Sequence, residues 1–192
     1  MNKNVFQKVI LITLLAISVS SIYGRNKYEP QSSSSEQFVQ FSPSASYVLC
    51  FVPDGPKCEN LIVGAINETK KSLLIQAYSF TNVAIADAVV KAHDRGVDVR
   101  VIVDKSQVSE KYTSAKFLQN SGIPVFIDTK PAIAHNKVMI FDGESIFTGS
   151  FNFTKAAQNR NTENGILIKG DGAIVKAYSN NWLTRLKQSA PY

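Results

Sequence analysis

The sequence predicts an α/β domain built on a mixed β-sheet with helices on both faces, and three observations predict it. Apolar runs of strand length alternate with segments of helical spacing from Tyr47 onward. The run over residues 72–80 is largely apolar, as expected of a strand buried on both faces. Two further apolar runs flank Asp142-Gly143, a strong short-range hairpin signal.

The elements follow in order. Residues 47–52 read as a strand, and residues 57–70 as a helix through Leu61, Ile62, Ala65 and Ile66. After the strand at 72–80 comes a helix over 83–95, with Ile85, Ala88, Val89 and Ala92 turned inward and Gly96 as its stop. Residues 98–103 give the next strand, 109–120 a helix, and 124–127 a strand. The hairpin joins Lys137-Val-Met-Ile-Phe141 to Glu144-Ser-Ile-Phe-Thr148. A short helix near 154–159, a strand at 164–168 and a closing helix from Gly172 to about Lys187 complete the domain.

The chain has 192 residues and a formal charge of +6. Residues 1–24 have the form of a secretory signal: Lys3 and Lys8, the apolar run 9–19, then small residues. Cleavage after Ser20 or after Gly24 fits equally, and an uncleaved N-terminal membrane anchor is the alternative. Thr13 and Ser18 interrupt the run, which is short for a membrane span. Its removal takes away two lysines and no acidic residue, so the remainder stays basic. Residues 25–46, with Gln31-Ser-Ser-Ser-Ser35, read as a flexible linker, leaving 47–192 as one domain. Cys50 and Cys58 either close a short disulfide loop in an oxidising compartment or stand as a buried strand cysteine and an unpaired neighbour.

Polar residues gather at the open end of the hairpin. His135 and Lys137 precede it, and Gly149-Ser150-Phe151-Asn152 follows it. A turn centred on Asp142-Gly143 sets 135 opposite 150; one centred on Gly143-Glu144 sets 135 opposite 152 and 137 opposite 150. Residues two apart share a strand face, so both registers bring the four side chains together. An imidazole, an ammonium, an amide and a hydroxyl suit a phosphodiester. Lys137 supplies positive charge, Ser150 and Asn152 supply donors, and His135 can attack phosphorus. A second histidine is the natural acid for the leaving oxygen. His93, beside Lys91, Asp94 and Arg95, reads as an ordinary surface residue. No His/Cys cluster has metal-ligand spacing, and this chemistry needs neither metal nor cofactor.

The pattern H-x-K-x4-D-x6-G-S-x-N, carried by His135, Lys137, Asp142, Gly149, Ser150 and Asn152, resembles the signature of the phospholipase D superfamily. The downstream Asn161-Thr-Glu163-Asn164 fits it, since members carry an acidic residue soon after the motif. The likeness is clearest over 134–168, and among members it is strongest to small, secreted, single-motif bacterial endonucleases. The resemblance implies an α/β sandwich, His135 as nucleophile in one subunit and leaving-group acid in the other, and a phosphate held by Lys137 and Asn152 with Ser150 assisting. It implies Glu163 as the group orienting the histidine. Asp142 belongs to the signature, but Asp-Gly is turn chemistry, so a structural role comes first.

Only one copy of the signature is present, so a two-histidine mechanism requires a homodimer, most simply with C2 symmetry. For the substrate, a nonspecific, metal-independent endonuclease on DNA or RNA is the first expectation. Net positive charge and the flanking Lys130, Lys155 and Arg160 support it. A phospholipase D acting on lipid head groups is the second, and an inactive nucleic-acid binder the third.

Overall fold

The computed structural model describes residues 38–192. The leader-like residues 1–24 and most of the linker lie outside the described residues. In chain order the elements are β1 (Ser46–Val52), α1 (Cys58–Glu68), β2 (Ser72–Ala77), α2 (Val83–Asp94) and β3 (Asp98–Asp104). A 3₁₀ turn (Lys105–Val108), α3 (Ser114–Asn120), β4 (Val125–Asp128), β5 (Lys137–Phe141) and β6 (Ser145–Gly149) follow. The chain then forms α4 (Lys155–Asn159), β7 (Glu163–Lys169), α5 (Gly172–Leu186) and β8 (Ala190–Pro191).

The strands form one eight-stranded sheet in the order β1-β7-β6-β5-β2-β3-β4-β8. β2, β3 and β4 pair in parallel, and the remaining neighbours are antiparallel, so the sheet is mixed as expected. Alternate residues feed two cores. Leu73, Ile75, Met139, Phe141, Phe147 and Leu167 join Ile62, Ile66, Val89 and Leu118 from α1, α2 and α3. Val138, Ile140, Ile146 and Ile168 face the other way, onto Val175 and Trp182 of α5. Helices therefore cover both faces. Trp182 is pinned there by its indole N–H, which donates to the Ile75 carbonyl (2.9 Å). Arg185 grips the buried Asp128 with two bonds of 2.7 Å.

Three boundaries differ from the expectations for physical reasons. The helix expected over 109–120 starts at Ser114, because Thr113 caps it through its hydroxyl to the Ala115 N–H (3.1 Å). β2 stops at Ala77, where the chain bends at Tyr78. The end of the expected linker is held rather than free. The Ser42 N–H donates to the Asp171 carboxylate (2.9 Å), which also caps α5 at the Ile174 N–H (3.0 Å), and Ser46 opens β1. Cys50 and Cys58 are joined, tying β1 to the first residue of α1.

Candidate active site

β5 begins at Lys137, and the loop leading into it is anchored at the carboxyl end of β3. The Asp104 carboxylate accepts N–H bonds from Ser106 (2.9 Å) and Ala134 (2.7 Å). Burial pushes this carboxyl up, yet those donors and the Lys105 charge outweigh it and hold it below the ordinary carboxylate range. Ala134 is thereby fixed, and His135 follows it, exposed. The Tyr78 N–H donates to the Asn136 carbonyl (2.9 Å), extending the β2–β5 pairing beyond the strands. Lys137 is buried, at 6% exposure, and its Nζ donates to the His135 carbonyl (2.8 Å). Burial lowers its pKa from the ordinary lysine value, and the nearby Glu163 charge opposes that shift.

Neither hairpin register expected from the Asp-Gly pair is found. Phe141 pairs with Ser145 and Val138 with Thr148, leaving Asp142, Gly143 and Glu144 as a three-residue loop. Continued without change, that register would turn Ser150 and Asn152 away from the face of Lys137. Gly149 interrupts it. Its φ is +152°, and a Cβ there would collide with the Asn164 carbonyl oxygen and lie 2.8 Å from the Gly165 Cα. β6 ends at this residue, and the next two N–H groups, of Ser150 and Phe151, both donate to the Asn164 carbonyl (3.1 and 3.3 Å). The Ser150 hydroxyl then donates to Glu163 Oε2 (2.5 Å) and accepts the Asn164 N–H (3.0 Å). Asn161 Nδ2 donates to Glu163 Oε1 (2.8 Å).

Asn152 sits between Phe151 and Phe153, both fully buried. Phe153 crosses to the segment between β2 and α2, where its carbonyl accepts the N–H groups of Thr81 and Asn82 (3.0 Å each). The Asn152 Oδ1 is buried with no hydrogen-bond partner among the described residues. A 180° flip of the amide presents its NH₂ in the same place, as a donor without a protein acceptor.

The structure therefore brings His135 and Lys137 together, links Ser150 to Glu163, and sets the Glu163 charge against Lys137. Asp142 takes the structural place that its Asp-Gly turn suggested, and Glu163 is held by partners other than the imidazole. Asp142 stands at the opposite end of the hairpin, seven residues from His135 and on the order of 20 Å away along the strand. There it accepts the N–H groups of Lys70 (2.9 Å), Lys71 (2.6 Å) and Ser72 (3.0 Å), clamping the turn to the α1–β2 loop. Glu163, expected to orient His135, has its oxygens engaged by Ser150 and Asn161. Within one chain no hydrogen bond joins it to the imidazole among the described residues. The ring against His135 is Tyr78, its centroid 4.6 Å away and tilted by 53°, and the same ring lies 5.2 Å from Lys137 Nζ. Reading residues 72–80 as one buried strand concealed this residue. The signal was an aromatic with a polar tip at the carboxyl end of a parallel strand, where sites of such sheets gather. No group of three or more His, Cys, Asp or Glu side chains that could hold a metal ion occurs among the described residues.

Comparisons with known proteins show which family the chain is similar to. The family model described as cardiolipin synthase, PLD-like domain, matches residues 62–185. A phospholipase D of Rickettsia conorii is 42% identical over 136 residues, covering 71% of this chain and 67% of that protein. A mitochondrial cardiolipin hydrolase of Xenopus tropicalis is 32% identical over 133 residues, covering 69% and 63%. The crystal structure of Nuc from Salmonella typhimurium, a phospholipase D family member, superposes with a TM-score of 0.73 at 36% identity. That match covers 77% of this chain and 98% of Nuc. The chain thus belongs to the phospholipase D superfamily and is one of its phosphodiesterases.

Proposed function

We propose that the protein hydrolyses phosphodiesters by double displacement at His135, with nucleic acid as its main substrate. The imidazole attacks phosphorus, the bond to the leaving oxygen breaks, and a phosphohistidine forms. Water then attacks phosphorus, breaks the P–N bond and returns the free ring. The observation that carries this reading is an exposed imidazole beside a buried ammonium, on the hairpin end that also bears an amide with an unpartnered buried atom. That is a nucleophile next to an ammonium with N–H donors to spare for a tetrahedral anion, and an amide whose NH₂ adds another. Lys137 and Asn152 bind the non-bridging oxygens, Ser150 assists, and Glu163 holds the Ser150 hydroxyl and sustains the Lys137 charge.

The leaving oxygen needs a proton. The chain's other histidine, His93, lies near the far end of α2, about 15 Å of helix from the end at which the site sits. The acid is therefore the His135 of a second copy, and the working unit is a C2 homodimer. No step uses a metal or cofactor. The Cys50–Cys58 bond supports the secreted or periplasmic location read from residues 1–24, since such bonds persist in oxidising compartments.

The formal charge of +6 and the exposed Lys130, Lys155 and Arg160 around the motif support a phosphate-backbone substrate. Phospholipid is the second reading. It is favoured by the names of the Rickettsia and Xenopus relatives and by exposed Val108, Tyr112 and Ile133 in the segments that follow β3 and β4. Plasmid DNA, RNA and phosphatidylcholine vesicles, each with excess chelator and with His135→Ala as control, separate the two. Cleavage of nucleic acid alone is the expected result. Cleavage of lipid alone reverses the order, and turnover of nothing, or turnover surviving in His135→Ala, removes the proposal.

A further inference from the structure

The imidazole of His135 is exposed, sits outside any strand and has no hydrogen bond to protein among the described residues. A histidine in that state rotates about two side-chain bonds, whereas in-line attack needs its lone pair aimed along one axis. One side chain is in place to restrict it. The Tyr78 ring packs 4.6 Å from the imidazole, and its backbone N–H is fastened to Asn136, the residue between His135 and Lys137. The same ring lies 5.2 Å from the Lys137 ammonium, within the range of a cation–π contact. Tyr78 is half-buried, and its backbone is tied to the segment that carries both side chains.

We infer that Tyr78 is a positioning residue for the reaction: its ring is a fixed wall that aligns the His135 imidazole for attack and closes one side of the Lys137 charge. The ring acts, and the hydroxyl is dispensable. The inference rests on the reading of His135 as nucleophile, and the test separates the two failures.

The substrate for the test is bis(p-nitrophenyl) phosphate, a small phosphodiester that makes no demand on nucleic-acid or lipid binding. Tyr78→Phe keeps the ring, and kcat stays within about 3-fold of the parent. Tyr78→Leu and Tyr78→Met remove it, and kcat falls by about 10- to 100-fold while KM moves by less than about 3-fold, the signature of misalignment rather than lost binding. The chain has two histidines, so its NMR spectrum holds two sets of imidazole signals. The His135 signals carry a ring-current displacement that Tyr78→Phe preserves and Tyr78→Leu abolishes, with His93 as internal reference. That displacement is measured on the parent and on Tyr78→Phe, so it stands even if the Leu variant folds poorly. Unchanged kcat in folded Tyr78→Leu, or an equal loss in Tyr78→Phe, overturns the inference. So does a parent spectrum without the displacement. If His135→Ala itself keeps wild-type turnover, it is the nucleophile assignment that fails.

Discussion

At the turn of the β5–β6 hairpin the Asp142 carboxylate is saturated: three successive N–H groups, from Lys70 to Ser72, point into it. Its neighbours there are paired as well, Glu144 with Lys71 (3.3 Å) and Glu68 with Lys169 (3.0 Å), even though they border an open depression in the surface. At the other end of the same hairpin the polar groups are less satisfied. Among the described residues the His135 ring packs on Tyr78 without a hydrogen bond, the Lys137 ammonium bonds one carbonyl, and Asn152 keeps a buried amide oxygen with no partner. Most buried polar groups in folded proteins are paired, and among the described residues the side-chain exceptions are Gln76 Nε2 on β2 and Asn152 Oδ1. Residues of one signature thus differ in how far the fold satisfies them: Asp142 builds the hairpin turn, while Lys137 and Asn152 keep bonding capacity that the described residues leave unused.

The comparison breaks most decisively at His135. His135→Ala lowers turnover by about 10⁴-fold or more without lowering Tm, while His93→Ala leaves both unchanged. Steady-state kinetics and thermal melts check this, and comparable losses at both histidines would dissolve the site. Next come the anion-binding groups. Lys137→Met and Asn152→Ala each cost about 10²- to 10³-fold in kcat, read with the same assay.

Asp142→Ala tests the opposite end. It removes a clamp on three N–H groups, so stability falls by about 2–3 kcal/mol and Tm by roughly 5–10 °C. Activity per folded molecule is retained. Burial pushes the Asp142 carboxyl up, but its backbone donors and Lys71 outweigh this and hold it below the ordinary value of 3.8. Its stabilisation is therefore complete above the unfolded value and disappears as pH falls through the lower folded one. Asp142→Asn lacks that acid limb in a pH series of denaturant melts.

The smallest expected effect sharpens the active end. Burial lowers the Lys137 pKa and the Glu163 charge opposes it, so the alkaline limit of activity that Lys137 sets lies below 10.5. Glu163→Gln removes the opposing charge and moves that limit to still lower pH. A limit that stays or rises contradicts the coupling.

The order of elements and the family signature were legible in the sequence because both are local. Apolar periodicity marks each strand and helix, and the signature lies within one stretch of chain. Register was not legible. Asp142 and Gly143 both take positive φ (55° and 68°), as an Asp-Gly turn suggests, and Glu144 adds a third loop residue. The Asp142 carboxylate is drawn to a loop some seventy residues earlier, a contact no window of sequence contains. Gly149 then ends the regular register through its close approach to Asn164, also set by tertiary packing. Tyr78 was missed for the same reason. Its meaning comes from the pairing of β2 with β5, which places it against His135.

The central claim is a covalent bond between phosphorus and the ring of His135. Protein mixed with excess substrate, quenched in alkali within one turnover and digested for mass spectrometry, reports that bond directly. The account predicts a phosphoryl-linked adduct on the peptide containing His135, with the mass of the substrate's transferred portion. An intermediate carried on another residue, or turnover with no adduct at any time point, contradicts it.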